Sequence, residues 1–169
     1  MQIRRALFVA ILTAIASGIS VEAAEITGRA SVVDGDTLDI GGQRIRLNGI
    51  DAPESAQTCQ DSDGATYRCG KKAAFALDDF LAASRPTRCV EMDRDRYKRV
   101  VAVCHRADGT DVNSWLVRQG WAVDWERYSK GKYRVDQQAA QKGRLGIWSG
   151  QFETPCVYRA LKAGRQPNC

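Results

Sequence analysis

The stretch from Val33 to Glu54, VDGDTLDIGGQRIRLNGIDAPE, constrains the fold most, because it fixes two strands and the turn between them. Thr37 to Ile40 and Arg44 to Leu47 alternate apolar with polar residues, and Gly41-Gly42 between them is a hairpin turn signal. Asp34 and Asp36 lie two apart in extended chain, so both side chains leave one face. Asn48-Gly49 predicts a bend or bulge that carries Asp51 back toward Asp36. Asp51-Ala52-Pro53-Glu54 reads as a turn in which proline fixes φ and presents Glu54 at a defined angle. Taken singly, each of these residues is as well explained by an ordinary turn or strand edge. Taken together and in this order, they predict a hard-cation site with a carboxylate and a guanidinium, Arg46, beside it.

The rest of the chain can be set around that ribbon. Arg4 and Arg5, the apolar run Ala6 to Ile19 and Val21 and Ala23 at the −3 and −1 positions predict a signal peptide over residues 1–23, cleaved after Ala23, with Ala24 the alternative. The apolar run is shorter than the ~18–20 residues that span a bilayer. About 145 residues follow, enough for one domain with a real core. The formal net charge of +5 falls to +4 once Arg4, Arg5 and Glu22 are removed. That mild positive balance favours a polyanionic partner. Residues 24–150 form the predicted domain and residues 151–169 a tail closed by a disulfide.

Ile26 to Val33, Thr37 to Ile40 and Gln43 to Ile50 are predicted strands. Cys69 to Ala83 carries Ala73, Ala74, Leu77, Phe80 and Leu81 at helical spacing. Cys89 to Met92 and Val100 to His105 make a hairpin. Asp111 to Gln119 is a helix with Asp111 near its N-cap and Gly120 at its stop, and Tyr133 to Lys142 is a last helix stopped by Gly143. This order predicts an α+β fold, a five-stranded β-barrel with three helices packed against it.

Six cysteines in an exported chain imply disulfides, and six allow fifteen pairings. Cys89 and Cys104 flank the hairpin turn, Cys59 and Cys69 bracket the polar loop QDSDGATYR, and Cys156 and Cys169 bracket the tail. Topology therefore favours Cys59–Cys69, Cys89–Cys104 and Cys156–Cys169, each contributing ~2–4 kcal/mol, mostly by restricting the unfolded chain. Zinc is the rival use of these thiols, opposed by wide spacings and by the lack of a histidine cluster. His105, the one histidine, reads as structural, which also counts against paired-histidine nucleases and Ser/His hydrolases. No Gly-rich phosphate loop or dinucleotide fingerprint is present.

Asp34-Gly35-Asp36-Thr37, Arg46 and Asp51-Ala52-Pro53-Glu54 closely resemble the signature of the thermonuclease (staphylococcal nuclease-like) family. Asp95, Arg96, Tyr97 and Arg99 resemble its second motif in spacing. Leu116 to Gly120 and Gly146-Ile147-Trp148 resemble family segments and read as packing, Trp148 capping the core. The resemblance runs from about Ile26 to Trp148 and implies an OB-fold, which commonly binds oligonucleotides.

It further implies an exported, Ca²⁺-dependent endonuclease acting on DNA and RNA and leaving 3′-phosphate ends. By resemblance, Asp36 and Asp51 ligate one Ca²⁺ directly, joined by the Ala52 backbone carbonyl, with Asp34 acting through water. A hard divalent cation prefers such oxygens. Glu54 is then the general base, and Arg46 and Arg99 stabilise the charge on the phosphorus centre. Arg96 and Tyr97 resemble contacts to a terminal or neighbouring phosphate. Trp125 takes a place where the family carries base-stacking tyrosines, Asp124 beside it being unhelpful to a polyanion; Trp121 reads as packing. Lys130, Lys132 and Arg134 read as a solvated helix start.

The expected partners are single-stranded or locally opened DNA and RNA. The mature protein is expected to be a periplasmic or secreted monomer without stable membrane association. The alternatives are a non-catalytic OB-fold module that binds nucleic acid, and a secreted interaction domain with a vestigial site. The Cys59–Cys69 insertion and the tail depart from the family pattern and leave substrate access open.

Overall fold

A computed structural model describes residues 24–169; the expected signal peptide lies outside the described residues. The chain begins with β1 (Glu25–Gly28) and β2 (Ala30–Asp34), followed by β3 (Thr37–Ile40), β4 (Gln43–Leu47) and the short β5 (Ile50–Asp51). A polar loop carries β6 (Cys59–Gln60) and β7 (Thr66–Tyr67) into α1 (Cys69–Ala82). Next come β8 (Thr87–Arg94), β9 (Val100–His105), α2 (Val112–Arg118), β10 (Val123–Asp124), α3 (Glu126–Ser129) and α4 (Arg134–Gly143). A 3₁₀ turn at Gly146–Ser149 leads to α5 (Pro155–Lys162).

The main sheet has the order β1-β8-β9-β4-β3-β2. Its first and last strands are consecutive in the chain, separated only by Arg29, so the sheet is curled into a barrel closed by chain continuity. The single first strand expected over Ile26 to Val33 is therefore two half-strands with different neighbours, β1 on β8 and β2 on β3. A sheet of this twist turns a corner by bending one strand between two partners. β4 and β9 run parallel, Ile45 opposite Val100 and Leu47 opposite Ala102, and the other pairs are antiparallel. This is the α+β OB-fold architecture.

Alternation decides which side chains fill the barrel. Leu38, Ile40, Ile45, Leu47, Val100 and Ala102 point inward and are buried, their strand neighbours facing out. α1 closes one end with Ala73, Leu77 and Leu81, spaced four apart on one face, and α2 adds Val112, Leu116 and Val117. Asp111 caps α2 by accepting from Ser114 N–H at 2.9 Å, and Gly120 ends it at φ 72°. The stop expected at Gly143 falls one residue later: Gly143 ends α4 and Arg144 takes the left-handed conformation at φ 50°.

Two of the five helices among the described residues, α3 and α5, stand where loop and tail were expected. Trp148 belongs to a satellite cluster with Ile147, Phe152 and the Cys59–Cys69 bridge, away from the barrel interior. Disulfides join Cys59 to Cys69, Cys89 to Cys104 and Cys156 to Cys169. Cys89 and Cys104 are direct cross-strand partners, fully buried between β8 and β9.

Candidate active site

The carboxylates come together because the β2–β3 turn, the β5 strand and the turn at Glu54 are each pinned in place. Asp34 Oδ1 accepts from Asp36 N–H at 3.0 Å, shaping the β2–β3 turn. Gly35 in that turn lies against Ala52; a Cβ there would sit 2.8 Å from the Ala52 Cβ. Asp51 is fixed by β5 pairing with β10, Val123 opposite Asp51 and Asp124 opposite Ile50. Asp36 and Asp51 are 6 % and 1 % exposed, so both carboxylates are withdrawn from bulk solvent.

Arg46 holds them together. Its Nη2 donates to Asp36 Oδ2 at 2.9 Å and to Asp51 Oδ1 at 3.2 Å. Thr37 Oγ1 donates to Asp36 Oδ1 at 3.1 Å, and Ala52 N–H reaches Asp36 Oδ2 at 3.4 Å. Burial pushes the Asp36 pKa up to about 7, against the pull of Arg46 and with help from Asp34 and Asp51. Burial raises Asp51 as well, opposed by Arg159 and Arg46. Two buried carboxylates with elevated proton affinity are short of positive charge.

Glu54 stands at the start of the polar loop, held by its backbone. Glu54 N–H donates to Gln57 Oε1 at 3.2 Å, and Gln57 N–H donates to the Glu54 carbonyl at 2.7 Å. Gly70, opening α1, packs so closely on the Glu54 carbonyl that any Cβ would collide with it. Gln57 itself is fully buried, and its Nε2 donates to the Glu153 carbonyl at 2.7 Å. Sequence reasoning missed this residue, which ties the loop to the tail.

Arg159 of α5 was missed too, and it stands inside the site. Its Nη1 and Nη2 donate to Asp51 Oδ1 and Oδ2, each at 2.8 Å, and Nη1 also donates to Glu54 Oε1 at 3.0 Å. Burial works against its charge, but the bonds from Asp51 and Glu54 hold the guanidinium protonated above its ordinary range. A legible signal lay in Thr154-Pro155 and Gly164, a helix start and stop around Arg159.

The second motif forms the β8–β9 turn. Asp95 accepts from Tyr97 N–H at 2.9 Å, from Arg99 N–H at 3.0 Å and from Arg99 Nε at 2.7 Å. Lys98 takes φ 64° to close that turn. Arg99 thus rests on Asp95, apart from the carboxylate pair, while Tyr97 is 67 % exposed. Arg46, Arg96, Arg99, Arg159, Tyr97 and Trp125 line one cleft of about 550 Å³. The Trp125 ring lies 5.5 Å from the Arg46 guanidinium carbon and 5.7 Å from that of Arg159, with Tyr128 edge-on at 4.5 Å. Trp121 packs on the core, and His105 sits at the end of β9, bridged to Asp111.

Among the described residues no three Asp, Glu, His or Cys side chains converge as a ready-made ion cage. The donor set is smaller, the carboxylates of Asp36 and Asp51, and these are hard oxygens suited to Ca²⁺ or Mg²⁺; the Ala52 N–H turns toward Asp36 Oδ2 beside them. The arrangement offers a buried negative pair, a nearby carboxylate at the surface and guanidiniums along one wall. That combination suits an anionic substrate that must be held while a nucleophile is aimed at it.

The chain is similar over most of its length to several known proteins. The family model described as Staphylococcal nuclease homologue matches residues 44–150. A Rhizobium meliloti protein named Succinoglycan biosynthesis protein ExoI is 52% identical over 161 residues, 95% of this chain and 84% of its own. An Escherichia coli protein named Uncharacterized endonuclease is 32% identical, covering 78% of this chain and 83% of its own. A Micrococcal nuclease of Shigella flexneri is 30% identical, covering 70% of each.

Proposed function

The chain belongs to the staphylococcal nuclease family, and from that premise we propose that it is a Ca²⁺-dependent endonuclease that hydrolyses phosphodiester bonds of DNA and RNA. The observation that carries the reading is that Arg46 and Arg159, which line one arginine-rich cleft, join Asp36, Asp51 and Glu54 in a single ion-paired cluster beside it. Asp36, Asp51 and the Ala52 carbonyl would hold the cation, with Asp34 supporting it through water. When bound, a divalent cation supplies positive charge to a phosphate oxygen and orders water beside it.

The protein's own groups supply the remainder. Arg46 and Arg99 line one cleft from β4 and from the β8–β9 turn, so both can reach the phosphate from separate supports. A guanidinium matches phosphate oxygens bidentately, and placed in advance it stabilises the charge that grows as phosphorus is attacked. Glu54, 42% exposed at its side chain, can take a proton from water entering from solvent. Arg99 would also support charge on the departing 5′-oxygen, leaving the phosphate on the 3′ side. Arg96 and Tyr97, on the exposed hairpin, would meet a neighbouring phosphate, and Trp125 would offer a stacking face for a base.

Three disulfides point to an oxidising compartment, so the protein works in the periplasm or outside the cell. Among the described residues no helix is long and apolar enough to cross a membrane. The nuclease domain over residues 24–150 and the tail over 151–169 act together, since the tail reaches the site. The succinoglycan name of one relative supplies a process in which such an enzyme would act, without altering the chemistry argued from these residues.

One observation favours the alternative of a binding module that does not cut: Arg159 engages both Asp51 and Glu54. Cleavage of heat-denatured DNA and RNA by the oxidised mature protein separates the two readings. Cutting should require Ca²⁺, stop with chelator, leave 3′-phosphate ends and fall by about 10²–10⁴-fold in Glu54→Gln. Binding of single strands without cleavage under Ca²⁺ or Mg²⁺ would sink the enzyme reading and leave the module.

A further inference from the structure

The loop between Cys59 and Cys69 and the tail after Gly150 depart from the family pattern separately, yet in space they form one device. Gln60 and Gln151 exchange backbone hydrogen bonds at 2.8 and 3.1 Å, and Gln57 reaches the Glu153 carbonyl. The tail is thereby seated on the loop just before α5 begins, and Arg159 follows in the second turn of that helix. Arg159 then fills both oxygens of Asp51.

Asp51 Oδ1 accepts from Arg46 Nη2 at 3.2 Å and from Arg159 Nη1 at 2.8 Å, which occupies both of its lone-pair directions, so a cation reaching that oxygen competes with a guanidinium N–H. Charge acts in the same sense, because Arg159 and a divalent cation would draw on the same carboxylates, Asp51 and Glu54, and repel each other there. Arg46, on β4, is fixed between two buried carboxylates. Arg159 is 32% exposed at its side chain on a surface helix with only Pro155 buried, so it is the group free to leave.

We propose that Arg159 is the built-in counter-ion of the cation site: its guanidinium holds Asp51 in the cation's place, and the cation binds by displacing it. The proposal rests on reading Asp36 and Asp51 as cation ligands. It makes the docked tail the element that sets how much Ca²⁺ the site needs.

Calcium titration calorimetry on the full oxidised protein tests it without an activity readout. Removing three charge-assisted hydrogen bonds that compete with the ion should tighten Ca²⁺ binding by about tenfold or more in Arg159→Gln. Arg159→Lys, which keeps the charge but cannot span both Asp51 oxygens, should tighten it by less. Arg165→Gln, a loss of the same charge from an exposed position of the tail, should stay within about twofold. Circular dichroism checks that each variant is folded. Unchanged or weaker Ca²⁺ binding in folded Arg159→Gln and Arg159→Lys overturns the counter-ion. Ca²⁺ binding that survives Asp51→Asn, or none in any variant, overturns the cation reading itself and the proposal with it.

Discussion

The two halves of the site rest on different supports. Asp36, Arg46 and Asp51 stand on barrel strands, and both carboxylates are almost wholly buried. Arg99 stands on a hairpin turn and Arg159 on a short surface helix, each about a quarter to a third exposed at its side chain. The negative charge is therefore built into the core, while much of the positive charge is delivered from the periphery. Such a division keeps Arg46 and the carboxylates proposed as cation ligands rigid, and leaves Arg99, the other group proposed to meet phosphate, able to adjust to a polymer.

Replacing one arginine from each half should expose the difference most strongly. Arg46→Ala would leave Asp36 and Asp51 buried without the guanidinium between them, and should cost about 3 kcal/mol of stability as well as activity. Arg99→Ala should lower cleavage by about 10²-fold while costing under about 1 kcal/mol, since Asp95 keeps its bonds from the Tyr97 and Arg99 amides. Urea denaturation beside the cleavage assay reads both. Equal stability losses would show that the hairpin is as structural as the strands.

The disulfides extend the comparison with a smaller effect. Replacing both Cys89 and Cys104 by Ala should cost about 2–4 kcal/mol, because that bridge lies between paired strands of the core. Replacing Cys156 and Cys169 by Ser should move the thermal midpoint by no more than about 2–4 °C, since the tail contributes little to the barrel. Its effect belongs instead to the placement of Arg159, and calorimetric Ca²⁺ titration should register it. A large fall in the midpoint would place the tail within the cooperative core.

The smallest effect expected is on pH. Burial tends to raise the Asp95 carboxyl, but the Arg99 side chain and the Arg99 and Tyr97 amides outweigh it and hold its pKa below 3.8. A carboxyl depressed on folding adds stability that is fully present above its unfolded value and is lost as pH falls through the folded one. Wild type should therefore lose more stability than Asp95→Asn as pH drops below about 4. Parallel acid denaturation curves would remove Asp95 as the organiser of the turn.

What the sequence made legible follows the reach of local interactions. The Asp34 to Glu54 ribbon could be read because its turns and alternation are local, and Asp111 and Gly120 bounded α2 for the same reason. Strand breaks were harder: Arg29 splits a continuous β pattern only because the sheet must close, a demand of the whole barrel. Arg159 lies 108 residues from Asp51, and no spacing rule relates them. Gln57 resembles any loop glutamine until the tail folds over it. The end of α4 shows the limit at close range, since Arg144 accepts the left-handed turn that glycine would ordinarily take.

Arg159 touches Asp51 with its edge and lies 5.7 Å from the Trp125 ring centre. A ligand that moves this one side chain is therefore felt in two places, the ion site and the surface offered to a base. Under thermodynamic reciprocity, whatever factor the ion contributes to strand affinity, the strand returns to ion affinity. On the proposed reading, ion affinity and strand affinity are then linked quantities, and neither has a fixed value until the concentration of the other ligand is stated.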